Sequence, residues 1–212
     1  MAYDKVVDST VLNAGLTQIA SAIRAKTGTG GTLAFPSGFV SAIEGLSGGS
    51  ATEPYIEETY DANGQLIDAV MHGYTQIRSN AFAYCGGLVS VSGISAITSI
   101  GYSAFQNCTN LALTSLPAGL TSIANYTFQN CSNLALTSLP AGITSISSSA
   151  FRDCTGLTTI TFEGTPTLIH SHAFDGCINL TTINVPWAEG AVENAPWGAT
   201  NATINYNYTP EG

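Results

Sequence analysis

The apolar positions between residues 77 and 180 recur with a fixed period. Five segments follow one pattern, I-x-x-x-A-F-x-x-C-x-x-L, in which only Thr127 departs from the alanine. The segments are 77–88, 100–111, 123–134, 146–157 and 169–180, and each begins 23 residues after the previous one. One such segment cannot bury its own isoleucine, phenylalanine, cysteine and leucine. The repetition therefore predicts stacked turns that bury these side chains as continuous ladders.

The second half of each repeat has the pattern of a short strand. Leu157, Ile160 and Phe162 punctuate a threonine-rich stretch, and Thr-Ser-Ile closes the repeat at 98–100, 121–123 and 144–146. Leu-Pro-Ala-Gly occurs at 116–119 and again at 139–142, which predicts a turn before the next strand. The spacing favours a β-rich solenoid, because a 23-residue period lies in the range of leucine-rich repeats.

The flanks predict different elements. An apolar stripe at helical spacing predicts a helix over residues 10–26, and a second short helix is expected at 39–46. We interpret residues 1–48 as a helical module that either packs on itself or attaches and oligomerises the protein. The stripe consists of Leu12, Leu16, Ile19 and Ile23. Residues 49–54 read as a small-residue linker.

Both ends of the repeat array are expected to be capped. Residues 55–73 predict a β-hairpin that turns at Asn63-Gly64, because Asn-Gly is a strong two-residue hairpin signal. The hairpin would place Ile56, Tyr60, Ile67 and Met71 on one face. The repeats then occupy residues 74–186, and residues 187–212 form a C-terminal cap ending in a strand. Such caps would cover the open ends of the solenoid.

The repeat motif resembles the BspA-like leucine-rich repeat family. That family has the form I-x-x-x-A-F-x-x-C-x-x-L-T-S-I with a following proline turn, which residues 150–160 match closely. The resemblance implies a leucine-rich-repeat solenoid with five 23-residue repeats, preceded by the helical module and hairpin and followed by the capping strand. It implies adhesion or surface recognition only in general terms.

Composition narrows the choice of partners. Charged residues make up 9% of the 212 residues, and the formal net charge is -9 with five Lys and Arg. This argues against nucleic acid and anionic membranes, which require a basic face. No apolar run approaches the length of a membrane span, and residues 1–8 lack the features of a secretory signal. We therefore expect no membrane insertion, and a virion or extracellular location reached without a classical signal.

No catalytic, cofactor or metal site is expected. The five cysteines share one repeat position, which predicts reduced, buried thiols rather than a metal cluster. His170 and His172 form an H-x-H pair that is more typical of solvated side chains than of ligands. A glycan hydrolase would need two carboxylates that face one glycosidic bond. The sequence gives no indication that Glu163 and Asp175 form such a pair.

A second resemblance concerns the flanks. Residues 16–28 and 35–43 are similar to the start of tail-associated proteins of phages and prophages of gut Firmicutes, and residues 184–208 to their ending. This implies a tail fibre or receptor-binding component whose partners are a host cell-surface glycan or protein and other virion tail proteins. It leaves open homo-oligomerisation through the N-terminal helices. The alternatives are a bacterial surface adhesin and, least favoured, an enzyme.

The candidate ligand-binding residues are those that vary between repeats while the ladders stay fixed. They are Tyr84, Tyr102, Asn107, Tyr126, Asn130, Arg152, Asp153, His170 and His172.

Overall fold

The computed structural model describes residues 54–209, and these form strands and turns without any α-helix. Residues 54–59 and 65–209 belong to one compact unit, and residues 60–64 to a second. Over the same stretch, no helix exists that could cross a membrane. The predicted helices at 10–26 and 39–46, the module of residues 1–48 and the linker up to residue 53 lie outside the described residues.

Twelve short strands build three sheets in residues 54–209. They are β1 Tyr55–Tyr60, β2 Leu66–His72, β3 Gln76–Ile77, β4 Ser90–Ser92, β5 Ser99–Ile100, β6 Ser122–Ile123, β7 Ser138–Leu139, β8 Ser145–Ile146, β9 Thr159–Phe162, β10 Leu168–Ile169, β11 Thr182–Asn184 and β12 Thr203–Asn205. The sheet orders are β1-β2-β4, β10-β8-β6-β5-β3 and β12-β11-β9-β7. Strands of successive turns pair in parallel, so the chain is a β-solenoid, as the period predicts.

The register of the five-stranded sheet equals the sequence period. Ile77 pairs with Ile100, and the same step of 23 residues continues through Ile123, Ile146 and Ile169. All five isoleucines are buried. A slip by one residue would turn this isoleucine ladder towards solvent, so burial fixes the register.

A phenylalanine ladder fills the interior beside these strands. The rings of Phe82, Phe105, Phe128, Phe151 and Phe174 stack nearly parallel, with centroids 5.3, 5.4, 5.5 and 5.1 Å apart. Each ring is at most 3% exposed. Because every turn places the same side chain at the same point, the separation of the rings gives the advance of the solenoid per turn.

The segment that carries each phenylalanine turns sharply instead of forming a helix. In the second turn, the Cys108 N–H donates to the carbonyl of Phe105 at 3.1 Å, a bond that spans only three residues. Ser103 and Asn107 lie in the left-handed region, with φ of 53° and 60°. The equivalent residues of the first, third and fourth turns do the same, which prevents the short hydrogen bonds from extending into a helix.

The prediction of five repeats is wrong, because the structure has a sixth, shorter turn. The Ala199 N–H donates to the Pro196 carbonyl at 2.9 Å and the Ala202 N–H to the Ala199 carbonyl at 3.0 Å. These are the bonds that link Phe174, Cys177 and Leu180 in the fifth turn. Proline and two alanines thus replace phenylalanine, cysteine and leucine, so the motif is hidden. The lost volume is filled by other side chains of this turn, foremost Trp197, which is fully buried.

At the N-terminal end, β1 and β2 are hydrogen-bonded neighbours. The connecting turn differs from the two-residue Asn-Gly type, which requires positive φ at both residues. Only Gly64 of the pair has positive φ, at 78°, and its N–H donates to the Asp61 carbonyl at 3.0 Å. The Asp61 side chain accepts a further bond from the Asn63 N–H at 2.8 Å. Of the predicted apolar face, Met71 is buried and the other three residues are half-buried.

Candidate recognition surface

The candidate residues all lie in the sharp turns that follow the strands of the five-stranded sheet. We call the solvent-facing side chains of these turns the turn surface. The turns themselves are residues 78–87, 101–110, 124–133, 147–156 and 170–179. Inward-facing phenylalanine and cysteine hold each turn in place, while the side chains between them face outwards. The turn surface therefore varies in sequence without changing the core.

The cysteines belong to the framework of this surface. All five are free thiols, and four are buried. The Sγ of Cys108 donates to the carbonyl of Phe82 at 2.9 Å, one turn earlier, and the same bond recurs at Cys131, Cys154 and Cys177. Burial, with a smaller contribution from Cys85, raises the pKa of the Cys108 thiol to about 12. These thiols are buried hydrogen-bond donors rather than nucleophiles.

Cys85 departs from the expectation that all five thiols are buried. It is half-buried and lies in the first turn, which has no repeat before it. Burial, and then the nearby charge of Glu58, raise the pKa of this thiol. Cys85 lines an open pocket of about 350 Å³ together with Gln65, Leu66, Tyr84, Gly86 and Gly87.

Three tyrosines mark the first three turns of the surface. Tyr84 is 73% exposed and Tyr102 is 48% exposed, while Tyr126 is half-buried. The rings of Tyr102 and Tyr126 meet edge to face, with centroids 5.5 Å apart. Tyr84 and Tyr126 have φ of 65° and 59°, which is rare for large side chains. Other turns place Asn, Asp or Gly at the position of Tyr84, and Asn, Ser or His at the position of Tyr126.

Amide side chains form two short ladders across the second and third turns. The Gln106 Nε2 donates to the Gln129 Oε1, and the Asn130 Nδ2 donates to the Asn107 Oδ1, both at 2.7 Å. All four residues are half-buried. Each amide has more donors and acceptors than one bond uses, so oriented polar groups remain available to a ligand.

The turn surface has a neutral section, within residues 79–133, and a charged section, within residues 152–179. Neither a charged residue nor a histidine occurs between Arg78 and Arg152. In the fourth turn, Arg152 Nε lies 3.3 Å from Asp153 Oδ2. In the fifth, His172 Nδ1 lies 3.0 Å from Asp175 Oδ2. The structure thus separates the candidate tyrosines and asparagines from the candidate charged residues.

The H-x-H pair is brought together without forming a metal site. The rings of His170 and His172 have centroids 5.7 Å apart, and the His172 N–H donates to His170 Nδ1 at 3.2 Å. Within residues 54–209, no three His, Cys, Asp or Glu side chains converge in a way that could hold a metal ion. Glu163 accepts a hydrogen bond from the Ser138 hydroxyl at 2.7 Å, in a different part of the repeat from Asp175.

Sequence reasoning missed Gln106 and Gln129. The signal was present, because Gln-Asn-Cys occurs in both the second and third repeats. The two glutamines also occupy the position of Arg152 in the fourth repeat, which varies between repeats. Recurrence is what allows these side chains to bond to one another across turns.

Comparison with known proteins gives the family context. A model of the BspA type leucine rich repeat region matches residues 75–194 in six copies. A leucine rich cell surface protein of Faecalibacterium prausnitzii is 27% identical, with a TM-score of 0.52 over 64% of this chain and 39% of that one. The chain thus spans about two fifths of that protein. A Treponema pallidum leucine rich repeat protein is 21% identical, with a TM-score of 0.48 over 73% of this chain and 80% of that one. No match was found among curated proteins.

Proposed function

Because the chain belongs to the family of BspA-type leucine-rich repeat proteins, we propose that it is a non-catalytic recognition protein that binds a cell-surface molecule through its turn surface. The observation that carries the proposal is the contrast between a fixed core and an ordered, variable exterior. The ladders of isoleucine and phenylalanine repeat without change, whereas the exposed side chains differ between turns yet are held by neighbours. A rigid scaffold that varies only at its surface suits binding.

An adhesin-like role accords with the similarity to a cell surface protein. A place in a phage tail rests on the resemblance of residues 16–28, 35–43 and 184–208 to tail-associated proteins, and it stays a prediction. The two placements differ in where the chain is found in the cell that makes it. Quantitative mass spectrometry of induced particles and of washed cell envelopes separates them. Enrichment in particles supports the tail, and enrichment in envelopes supports the adhesin.

The binding function itself is tested on intact cells. Fluorescently labelled protein is incubated with a panel of gut bacterial species, and saturable binding to some of them is expected. The variant Tyr84→Asn with Tyr102→Ala should bind less, whereas Tyr208→Ala, a tyrosine outside the turn surface, should bind as the parent does. The proposal fails if no cell type is bound or if binding is the same in all three proteins.

A further inference from the structure

The backbone conformation at Tyr84 and Tyr126 indicates that tyrosine is kept at these positions for a reason other than folding. Left-handed φ is unfavourable for a large side chain, and such outliers concentrate at functional sites. In other turns of this chain the position of Tyr84 carries Asn, Asp or Gly, and that of Tyr126 carries Asn, Ser or His, so a less strained choice is available at each. Tyr84 is also largely exposed and gains little from burial. Folding therefore does not explain why tyrosine occurs there.

The chemistry around these tyrosines suits a neutral, hydroxyl-rich ligand. An exposed aromatic ring offers an apolar face with a polar tip, and an oriented amide offers one donor and one acceptor side by side. The Gln106–Gln129 and Asn107–Asn130 pairs are held by hydrogen bonds, so they lose little conformational freedom on binding. No charged side chain occurs between Arg78 and Arg152, so the second and third turns carry no charge that would attract an ionic partner.

The spacing of the turns fits an extended sugar chain. The phenylalanine ring centroids of successive turns are 5.1 to 5.5 Å apart, which gives the advance of the solenoid per turn. This is close to the length of one pyranose unit in an extended β-linked polysaccharide. A chain lying along the solenoid axis would therefore present one sugar to each turn. Tyr84, Asn107 and Asn130 occupy the same position of the first three turns, two residues after the phenylalanine, and would meet successive units.

We propose that the neutral section of the turn surface binds an uncharged, extended polysaccharide parallel to the solenoid axis, with about one sugar over each of the first three turns. The proposal rests on the proposed recognition function and specifies its ligand. Stacking on the Tyr84 ring supplies affinity, and the two amide ladders, one of which continues the position of Tyr84, bond the sugar hydroxyls. The charged fourth and fifth turns lie beyond this section and need not contact the chain.

The first test uses a printed array of linear neutral glycans, namely β-1,4-linked glucans, mannans and xylans, beside polygalacturonate and heparin. Binding to at least one neutral series is expected, and it should persist at high salt because no ion pair forms. Calorimetry with that series from disaccharide to hexasaccharide should show affinity rising until the three turns are spanned and then levelling off. Binding confined to charged glycans, or affinity independent of length, would overturn the proposal.

The second test uses matched variants. Tyr84→Asn places the residue of the next two turns at this position and should keep or raise the melting temperature. It should nevertheless lower the affinity about tenfold, equivalent to about 1.4 kcal/mol. Tyr208→Ala serves as the tyrosine control and should leave affinity unchanged. Equal affinity of the Tyr84→Asn variant and the parent would contradict the proposal.

A third measurement distinguishes failure of the glycan proposal from failure of the recognition function itself. Cells that bind the protein are treated with periodate, which cleaves sugar diols, or with proteinase K. Loss after periodate alone supports the glycan. Loss after proteinase K alone, with periodate-treated cells still bound, would refute the glycan while the recognition function stands. Absence of binding to any untreated cell refutes the recognition function and the glycan with it.

Discussion

The thiol of Cys131 donates a hydrogen bond to the backbone carbonyl of Phe105, with 3.0 Å between Sγ and the oxygen. The same oxygen accepts the Cys108 N–H at 3.1 Å. One carbonyl thus bonds both to its own turn and to the following one. This relationship explains why the third apolar ladder is built of cysteine, since valine of similar size has no donor.

Replacing this thiol tests the contribution of its polarity. Cys131→Ser should destabilise the protein by about 1–3 kcal/mol, because it buries a smaller and more polar group. Cys131→Val conserves volume and leaves Phe105 bonded to Cys108, so we expect a loss below about 1.5 kcal/mol. Urea unfolding gives both values. A Val variant less stable than the Ser variant would mean that the inter-turn hydrogen bond outweighs packing.

Alkaline pH should weaken the fold through the same ladder. Burial raises the pKa of the Cys108 and Cys177 thiols from 9.0 to about 12, so the unfolded chain loses these protons first. Ionisation therefore favours the unfolded chain as pH rises from about 9 to 12, and this stability is intact below pH 9. Urea midpoints measured across that range should fall. In a Cys108→Val, Cys177→Val variant they should fall less steeply, and parallel curves would contradict the assignment.

Thiol reactivity should distinguish the first turn from the rest. We expect Ellman's reagent to modify about one thiol per native chain quickly, because Cys85 alone of the five is half-buried. All five should react in denaturant. Cys85→Ser should abolish the fast phase and leave the slow one. Rapid modification of several thiols in that variant would show that the buried ladder opens readily.

The phenylalanine ladder should contribute much of the stability. Phe128 is fully buried and stacks on Phe105 and Phe151, so Phe128→Ala should cost about 3–5 kcal/mol. Tyr102→Ala removes an exposed ring and should cost much less. Thermal unfolding compares the two. Similar losses would show that the edge contact between Tyr102 and Tyr126 stabilises the solenoid more than its exposure suggests.

A glycine between turns should be sensitive to one added carbon. A Cβ at Gly164 would overlap the backbone carbonyl of Ala141 in the previous turn, so Gly164→Ala should destabilise the protein by about 1–3 kcal/mol. Gly119→Ala is the control, since its nearest neighbour would be the Thr98 side chain at 3.5 Å. Its unfolding midpoint should stay near that of the parent. Equal stability of the two variants would mean that the turns can separate locally.

The solenoid could be predicted because its information is periodic. Ile100 and Phe105 recur at one interval, and burial of one turn requires the next. The sixth turn could not be predicted in the same way. Pro196, Ala199 and Ala202 conserve neither the residue types nor the interval, and Trp197 restores the volume from a neighbouring position. A search for recurring residue types does not detect a turn in which a different side chain, at a different position, fills the same volume.

The candidate surface was predicted as a set of positions but not as an arrangement. Variation between repeats identified Tyr84 and Tyr126, because exposed positions are free to vary. The left-handed backbone at these tyrosines and the hydrogen bond between Gln106 and Gln129 follow from the three-dimensional arrangement of the turns, which the residue pattern does not encode. The sequence alone does not show which variable residues contact one another across turns.

The register that pairs Ile100 with Ile123 has an evolutionary consequence. Deleting or duplicating one unit of 23 residues joins two faces that already fit, because each turn is packed on an equivalent of itself. Unequal recombination between repeats would thus add or remove whole turns of the solenoid and keep the packing between neighbouring turns. Related chains with more or fewer turns would have longer or shorter turn surfaces, and each would contact a correspondingly longer or shorter stretch of its ligand.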